Sequence, residues 1–167
     1  MTINCKGNLI DLTSPKVMGI LNITPNSFFD GGKYADENSI LQQVEKMLVD
    51  GATFIDIGAY SSKPNAEFVS EDEEISRLIP VIELILKNFP KTLISVDTFR
   101  ANVANRAIEN GACIVNDISA GSLDENMMQT VADLQVPYIM MHMKGNPQTM
   151  QSLAQYENIV KEMLFYF

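Results

Sequence analysis

Val17-Met18-Gly19-Ile20-Leu21-Asn22 is an apolar run of strand length that stops at a polar residue. The segment after it, Ile23-Thr24-Pro25-Asn26-Ser27-Phe28-Phe29-Asp30-Gly31-Gly32, is dense in turn residues. Pro fixes φ, Asn and Ser bond to nearby backbone, and Gly permits positive φ, so the run reads as a short buried strand that ends at Asn22 and opens into a loop. Phe28 and Phe29 lie inside that loop. At least one of them is expected to fold back onto the core, because large aromatics are rarely left wholly in water; the sharper expectation is a loop that closes over a flat ligand.

The same pattern recurs at Thr53–Gly58, Leu93–Thr98, Cys113–Ile118 and Pro137–His142. Each run is short and rich in Ile, Val or Met, as expected of strands covered on both faces. Helical patterns separate them. Ile40, Leu41, Val44, Met47 and Leu48 share one helical face that ends near Gly51, a good left-handed stop. Ser70-Glu71-Asp72-Glu73 offers a capping box before a second helix, in which Pro80 predicts a kink. Val103 to Ile108 with Gly111 forms a third, Leu123 to Leu134 a fourth, and the tail from Gln155 to Phe167 begins a fifth. Strand and helix thus alternate, which predicts right-handed βαβ units and a parallel sheet in a single domain over residues 1–167. Periodicity alone leaves open whether that sheet is doubly wound or part of a (β/α) barrel.

Composition narrows the function. A net charge of −9 and no basic stripe argue against nucleic acid as a partner, since phosphate binding needs clustered Lys and Arg. Cys5 and Cys113 lie far apart with no CxxC or Cys/His spacing, so neither a disulfide framework nor a zinc site is expected, and free thiols fit a reducing compartment. No run approaches the ~18 apolar residues of a membrane span, and the first residues lack a signal-peptide core; a cytoplasmic protein is the expectation.

The polar residues fall at the carboxyl ends of the apolar runs: Asn22, Asp56, Asp97, Asn116 with Asp117, and His142. In parallel α/β folds that edge carries the ligand site. Asp97 ends an otherwise apolar strand, either as a buried functional carboxylate or as the cap of the helix that follows. An Asp and an Asn on neighbouring strand ends could bind a planar heterocycle with an amidine-like edge, the carboxylate accepting two parallel N–H bonds and the amide matching a donor–acceptor pair. Asp56 reads as a structural carboxylate bonded to backbone or to the opening loop. Ser61, Ser62 and Lys63, stiffened by Pro64, would suit an anionic substrate group. His142, the only histidine, reads as a hydrogen-bonded structural group, while Met141 beside it could pack on a flat ring.

Taken in order, MGILNITPNSFFDGG (Met18–Gly32), GATFIDIGAYSS (Gly51–Ser62), ISVDT (Ile94–Thr98), GACIVNDI (Gly111–Ile118) and MHMKGNPQTMQ (Met141–Gln151) closely resemble the dihydropteroate synthase family. The resemblance implies a TIM-type (β/α)8 barrel of the pterin-binding kind, of which about five β/α units are present. It implies a transferase of folate biosynthesis that joins 6-hydroxymethyl-7,8-dihydropterin diphosphate to p-aminobenzoate, releasing diphosphate. Asn22 matches the family's contact to magnesium (Mg2+), the ion sitting on the diphosphate. Asp97 and Asn116 match its pterin-binding pair, with Ile118 and Met141 lining that pocket. Phe28, Ser62, Lys63 and Pro64 match the two loops that shape the p-aminobenzoate site, where sulfonamides also bind. A homodimer is implied for the complete protein, with small-molecule substrates and neither nucleic acid nor membrane as partner.

The departures carry their own expectations. The family usually has Arg where this chain has Lys63, and Lys keeps the charge without the planar fork, so an effect on p-aminobenzoate or sulfonamide binding follows. A DPGxGF-like Asp, a pterin-binding Lys segment and the Arg-x-His that grips diphosphate are absent from these 167 residues. The chain is therefore expected to be the amino-terminal part of a barrel, inactive alone. Rival expectations are the pterin-binding domain of a corrinoid-dependent methyltransferase, which would lack the Thr24–Phe28 and Gly145–Met150 segments, and a noncatalytic pterin-binding fragment.

Overall fold

In the computed structural model, which describes residues 1–23, 33–60 and 69–167, the five apolar runs are five parallel strands. A hairpin precedes them, with β1 (Thr2–Cys5) antiparallel to β2 (Asn8–Asp11). Lys6 and Gly7, at φ 54° and 80°, make the left-handed pair that a two-residue hairpin requires. The hairpin lies outside the expected alternation of strand and helix; a Gly in a two-residue gap between short alternating runs is its signal in the sequence.

The main sheet then follows as β3 (Val17–Asn22), α1 (Lys33–Val49), β4 (Ala52–Gly58), α2 (Glu71–Asn88), β5 (Leu93–Asp97), α3 (Ala101–Glu109), β6 (Ile114–Asp117), α4 (Met127–Leu134), β7 (Tyr138–Met140) and α5 (Ile159–Tyr166). Its strand order is β3-β4-β5-β6-β7, the order of the chain. Each right-handed crossover therefore steps the same way, and the helices fall on one side, whereas a doubly wound sheet reverses its order partway. The topology is that of consecutive units of a (β/α) barrel, the choice that periodicity left open.

Alternation along the strands sorts the two faces. Ile55 and Ile57 on β4, Ile94 and Val96 on β5, and Val115 on β6 are fully buried in one cluster with Val44, Leu78, Ile82 and Ala104 from the helices. Truncating one of these large aliphatics to Ala costs about 2–5 kcal/mol. The opposite face carries Phe54, Asp56 and Gly58, then Ser95 and Asp97, then Ile114 and Asn116. Its lower end is sealed by the hairpin, where Cys5, Ile3 and Ile10 pack against Phe54, Ile114, Cys113 and Leu93. Apolar residues thus plug one end of this face and leave the polar positions at the other.

Local signals and tertiary contacts divide the helix ends between them. Ser70 Oγ accepts from Glu73 N at 3.2 Å, but Glu73 turns its carboxylate to Arg77, so half of the expected capping box forms. α2 continues through Pro80 as one helix. α4 starts four residues later than the sequence pattern predicts, at Met127 rather than Leu123. The reason is Asp124, whose Oδ2 accepts from Ala101 N at 2.7 Å and caps α3, while its Oδ1 accepts from Asn126 N at 3.0 Å. Gly111 ends the α3 turn at φ 115°, and a Cβ there would lie 2.4 Å from Leu86. No described helix is long and apolar enough to cross a membrane.

Candidate functional site

Strand register places three residues singled out from sequence in one row. Asn22 pairs with Gly58, Gly58 with Asp97, Asp97 with Asn116, and Asn116 with Ile139. Neighbouring strands lie about 4.8 Å apart, so Asp97 and Asn116 are immediate neighbours and Asn22 stands roughly 10 Å from Asp97. Asn22 is exposed at its strand end, and Asp97 and Asn116 are half-buried. Ile118 follows β6 and is half-buried; Met141 follows β7, is 38% exposed and donates its backbone N–H to Asp117 O at 3.1 Å. The row sits at the carboxyl edge of the sheet. Phe28, Ser62, Lys63 and Pro64 lie outside the described residues.

Asp97 is not a helix cap. Arg100 N is bound by Thr98 Oγ1 at 3.2 Å and Ala101 N by Asp124, so the start of α3 is served by other side chains. Among the described residues the Asp97 carboxylate accepts no hydrogen bond, although burial and the charges of Asp56, Glu74 and Asp117 push it up to about 7. A carboxylate in this state is poised for a donor supplied from outside. Gly58 makes the space, since a Cβ there would lie 3.2 Å from Asp97 Oδ2 and 3.4 Å from Asp97 Cβ. Sequence reasoning missed that role; a glycine closing an apolar strand was the only sign.

Asp56 has a partner that was not expected. Among the described residues it bonds no backbone group, and the opening loop after Ile23 lies outside them. Its Oδ2 accepts from Asn116 Nδ2 at 3.0 Å, and it is 4% exposed. Among the described residues Oδ1 has no hydrogen-bond partner. Burial raises this carboxyl; Ser95 and Asn116 oppose the shift, and only Asn116 does so through a well-aligned hydrogen bond. Asp117, next in sequence to Asn116, is fully buried and fully engaged by the protein: it accepts from Ser119 N at 2.7 Å, Ser119 Oγ at 2.8 Å, Gly121 N at 2.8 Å and Tyr138 Oη at 2.6 Å.

Two further groups frame the row. Buried Glu74 pairs with Arg100, whose guanidinium lies 5.4 Å from the Tyr60 ring and 5.1 Å from the Phe99 ring, and donates to Val69 O at 2.7 Å. Arg100 thus grips Tyr60 and Val69, the flanks of the β4–α2 connection. His142 is structural, as expected: Nδ1 lies 3.4 Å from Tyr156 Oη, and its ring packs edge-on at 4.6 Å against Tyr166. Tyr166 in turn donates to Ser119 O at 2.8 Å, tying α5 to the loop after β6.

No group of three or more His, Cys, Asp or Glu side chains suited to a metal occurs among the described residues. Asn22 is a single hard oxygen donor. That fits a magnesium ion carried on a substrate diphosphate, which keeps most of its ligands from water and phosphate, and does not fit a dedicated protein cage. A cleft of about 490 Å³ between α2, α3 and α4, lined by Glu71, Asn102 and Asp124 among others, lies on the helix side, away from the row.

Residues 18–167 match the family model described as pterin binding enzyme. The chain is 50% identical over 151 residues to the mitochondrial folate synthesis bifunctional protein of Arabidopsis thaliana, covering 88% of this chain and 27% of that protein. It is 43% identical over 166 residues to the dihydropteroate synthase of Haemophilus influenzae, covering 99% of this chain and 60% of that one. Among solved structures, Yersinia pestis dihydropteroate synthase in a sulfonamide drug complex superposes with a TM-score of 0.87 at 38% identity, over all of this chain and 60% of that chain. The chain thus spans between about a quarter and three fifths of the length of these relatives.

Proposed function

The chain belongs to the pterin-binding enzyme family, and on that premise we propose that it supplies the first five β/α units of a dihydropteroate synthase barrel. That enzyme condenses 6-hydroxymethyl-7,8-dihydropterin diphosphate with p-aminobenzoate to give 7,8-dihydropteroate and diphosphate. The observation that carries this reading is the Asp97 carboxylate, raised to about 7 and without a donor among the described residues, in register with Asn116 at the carboxyl edge of the sheet.

In this reading Asp97, ionised, accepts two parallel N–H bonds from the aminopyrimidine edge of the pterin. Its negative charge, held against the ring, favours the positive charge that develops at the exocyclic CH2 as the C–O bond to diphosphate breaks. The aniline nitrogen of p-aminobenzoate takes that carbon, forming the C–N bond and releasing its proton. No enzyme nucleophile is needed. Asn116 orients the ring, and Ile118 and Met141 line its faces. Asn22 would hold magnesium, which when bound with the diphosphate supplies neutralisation of the leaving-group charge. Phe28, Ser62, Lys63 and Pro64 are assigned to the p-aminobenzoate and sulfonamide site on the family resemblance. A homodimer of the complete protein and a cytoplasmic location belong to the same proposal.

Calorimetric titration of the chain with 6-hydroxymethyl-7,8-dihydropterin diphosphate tests the site: binding that Asp97→Asn reduces at least a hundredfold is expected, and equal binding by both would overturn it. A coupled diphosphate-release assay is expected to show no turnover for the 167-residue chain, because the further diphosphate contacts that the family resemblance implies are not among its motifs. Turnover near that of complete enzymes would refute that part.

A further inference from the structure

The β1–β2 hairpin and the five-stranded sheet are separate sheets, and among the described residues no backbone hydrogen bond joins them; packed side chains do. At the centre of that packing Cys5 and Cys113 are buried in one cluster with Phe54 and Ile114. Both are free thiols, and they lie in hydrogen-bonding contact with each other, while Cys113 Sγ also donates to Ile94 O at 3.4 Å. Burial raises both thiols, Cys113 up to about 12, and the contact between them draws Cys5 back down. Lys6 Nζ stands over the turn before β6, where a Cβ on Gly111 would lie 3.0 Å from it, and its charge opposes the rise at Cys113. A cleft of about 290 Å³ runs between the hairpin and the ends of α3 and α4. Its lining includes Asn4, Lys6 and Ala112, the chain neighbours of the two cysteines.

We propose that Cys5 and Cys113 are a redox pair, and that their oxidation by a small-molecule disulfide staples the hairpin to the foot of β6. The inference is independent of the pterin reading. A hairpin held by side-chain packing alone can lift as a unit, and its lifting opens the cleft onto both sulfurs. Cys5, the more easily ionised of the two, attacks one sulfur of the small disulfide; a mixed disulfide forms on Cys5 and one thiol leaves, carrying the Cys5 proton. Cys113, already in contact, then attacks Cys5 Sγ, and the second thiol leaves with the Cys113 proton. Two protein thiols are oxidised to one disulfide, and one small disulfide is reduced to two thiols. The new bond closes a long loop of chain, the case in which a cross-link most restricts the opened state. It fixes the plug beneath the face that carries Asp56, Asp97 and Asn116 and touches none of the three.

The test incubates the wild-type chain with oxidised glutathione without denaturant and maps the product by non-reducing digestion and mass spectrometry. One link between Cys5 and Cys113 within a single chain is expected, with two hydrogens lost and no glutathione retained. Cys113→Ala is expected to keep glutathione on Cys5, since the thiol that resolves the mixed disulfide is gone. Thiols that stay reduced, as small apolar fillers of the plug would, overturn the proposal. So do glutathione retained on either cysteine of the wild type and a link formed only between chains. A second readout follows the staple itself. Amide hydrogen exchange in the hairpin is expected to slow about a hundredfold on oxidation and to recover when dithiothreitol reduces the bond. Exchange that is the same in both states overturns the staple.

Discussion

Asn116 Nδ2 donates to Asp56 Oδ2 at 3.0 Å, from β6 to β4 across the strand between them, although the two residues are 60 positions apart. This bond joins a buried carboxylate to the candidate ligand row and leaves Asp97, its neighbour in that row, without a protein donor among the described residues. In the proposed reading the two acids divide the work: one holds a side chain, the other takes the ligand. Substitutions in and around this row should separate the two roles.

Asp97→Asn should abolish pterin binding and raise stability. The amide keeps the shape but loses the acceptor pair, while a half-buried charge pressed by Asp56, Glu74 and Asp117 disappears. At pH 8 a gain of about 1–3 kcal/mol in urea unfolding is expected. A destabilised Asn variant would show that the carboxylate is structural.

Pterin affinity should rise with pH. In the free protein Asp97 is pushed up to about 7, and only the ionised form accepts both N–H groups. Between pH 6 and pH 8 the dissociation constant for 6-hydroxymethyl-7,8-dihydropterin should fall about tenfold and then level off. The stability linkage has the opposite slope. The folded state keeps the Asp97 proton from the ordinary carboxylate value of 3.8 up to about 7, so this group's contribution to stability is lost as pH rises through that window. A flat binding profile would assign the raised acid elsewhere.

Gly58→Ala should weaken pterin binding about tenfold with little loss of stability. The added Cβ would meet Asp97 Oδ2 at 3.2 Å and push the carboxylate out of line with its ligand. Affinity within twofold of the wild type would remove Gly58 from the site.

Tyr138→Phe should cost about 1–3 kcal/mol in unfolding free energy, because Asp117 loses its 2.6 Å phenol donor while remaining fully buried. Affinity for 6-hydroxymethyl-7,8-dihydropterin should stay within twofold of the wild type. A larger loss at constant stability would bring Asp117 into the ligand site.

The alternation of apolar runs with helical patterns was enough to place each of the five parallel strands within one or two residues, and to put Asn22, Asp97 and Asn116 at their carboxyl ends. Those features depend on side-chain period and on turn and cap residues within a few positions, which is information local to the chain. Strand order, the row shared by Asn22, Gly58, Asp97 and Asn116, the capping of α3 by Asp124 and the bond from Asn116 to Asp56 were decided only by the tertiary structure. Each is a contact between residues distant in sequence, set by which strands pair and in what register. A one-residue slip of β5 would turn Asp97 to the helix side without altering any local pattern.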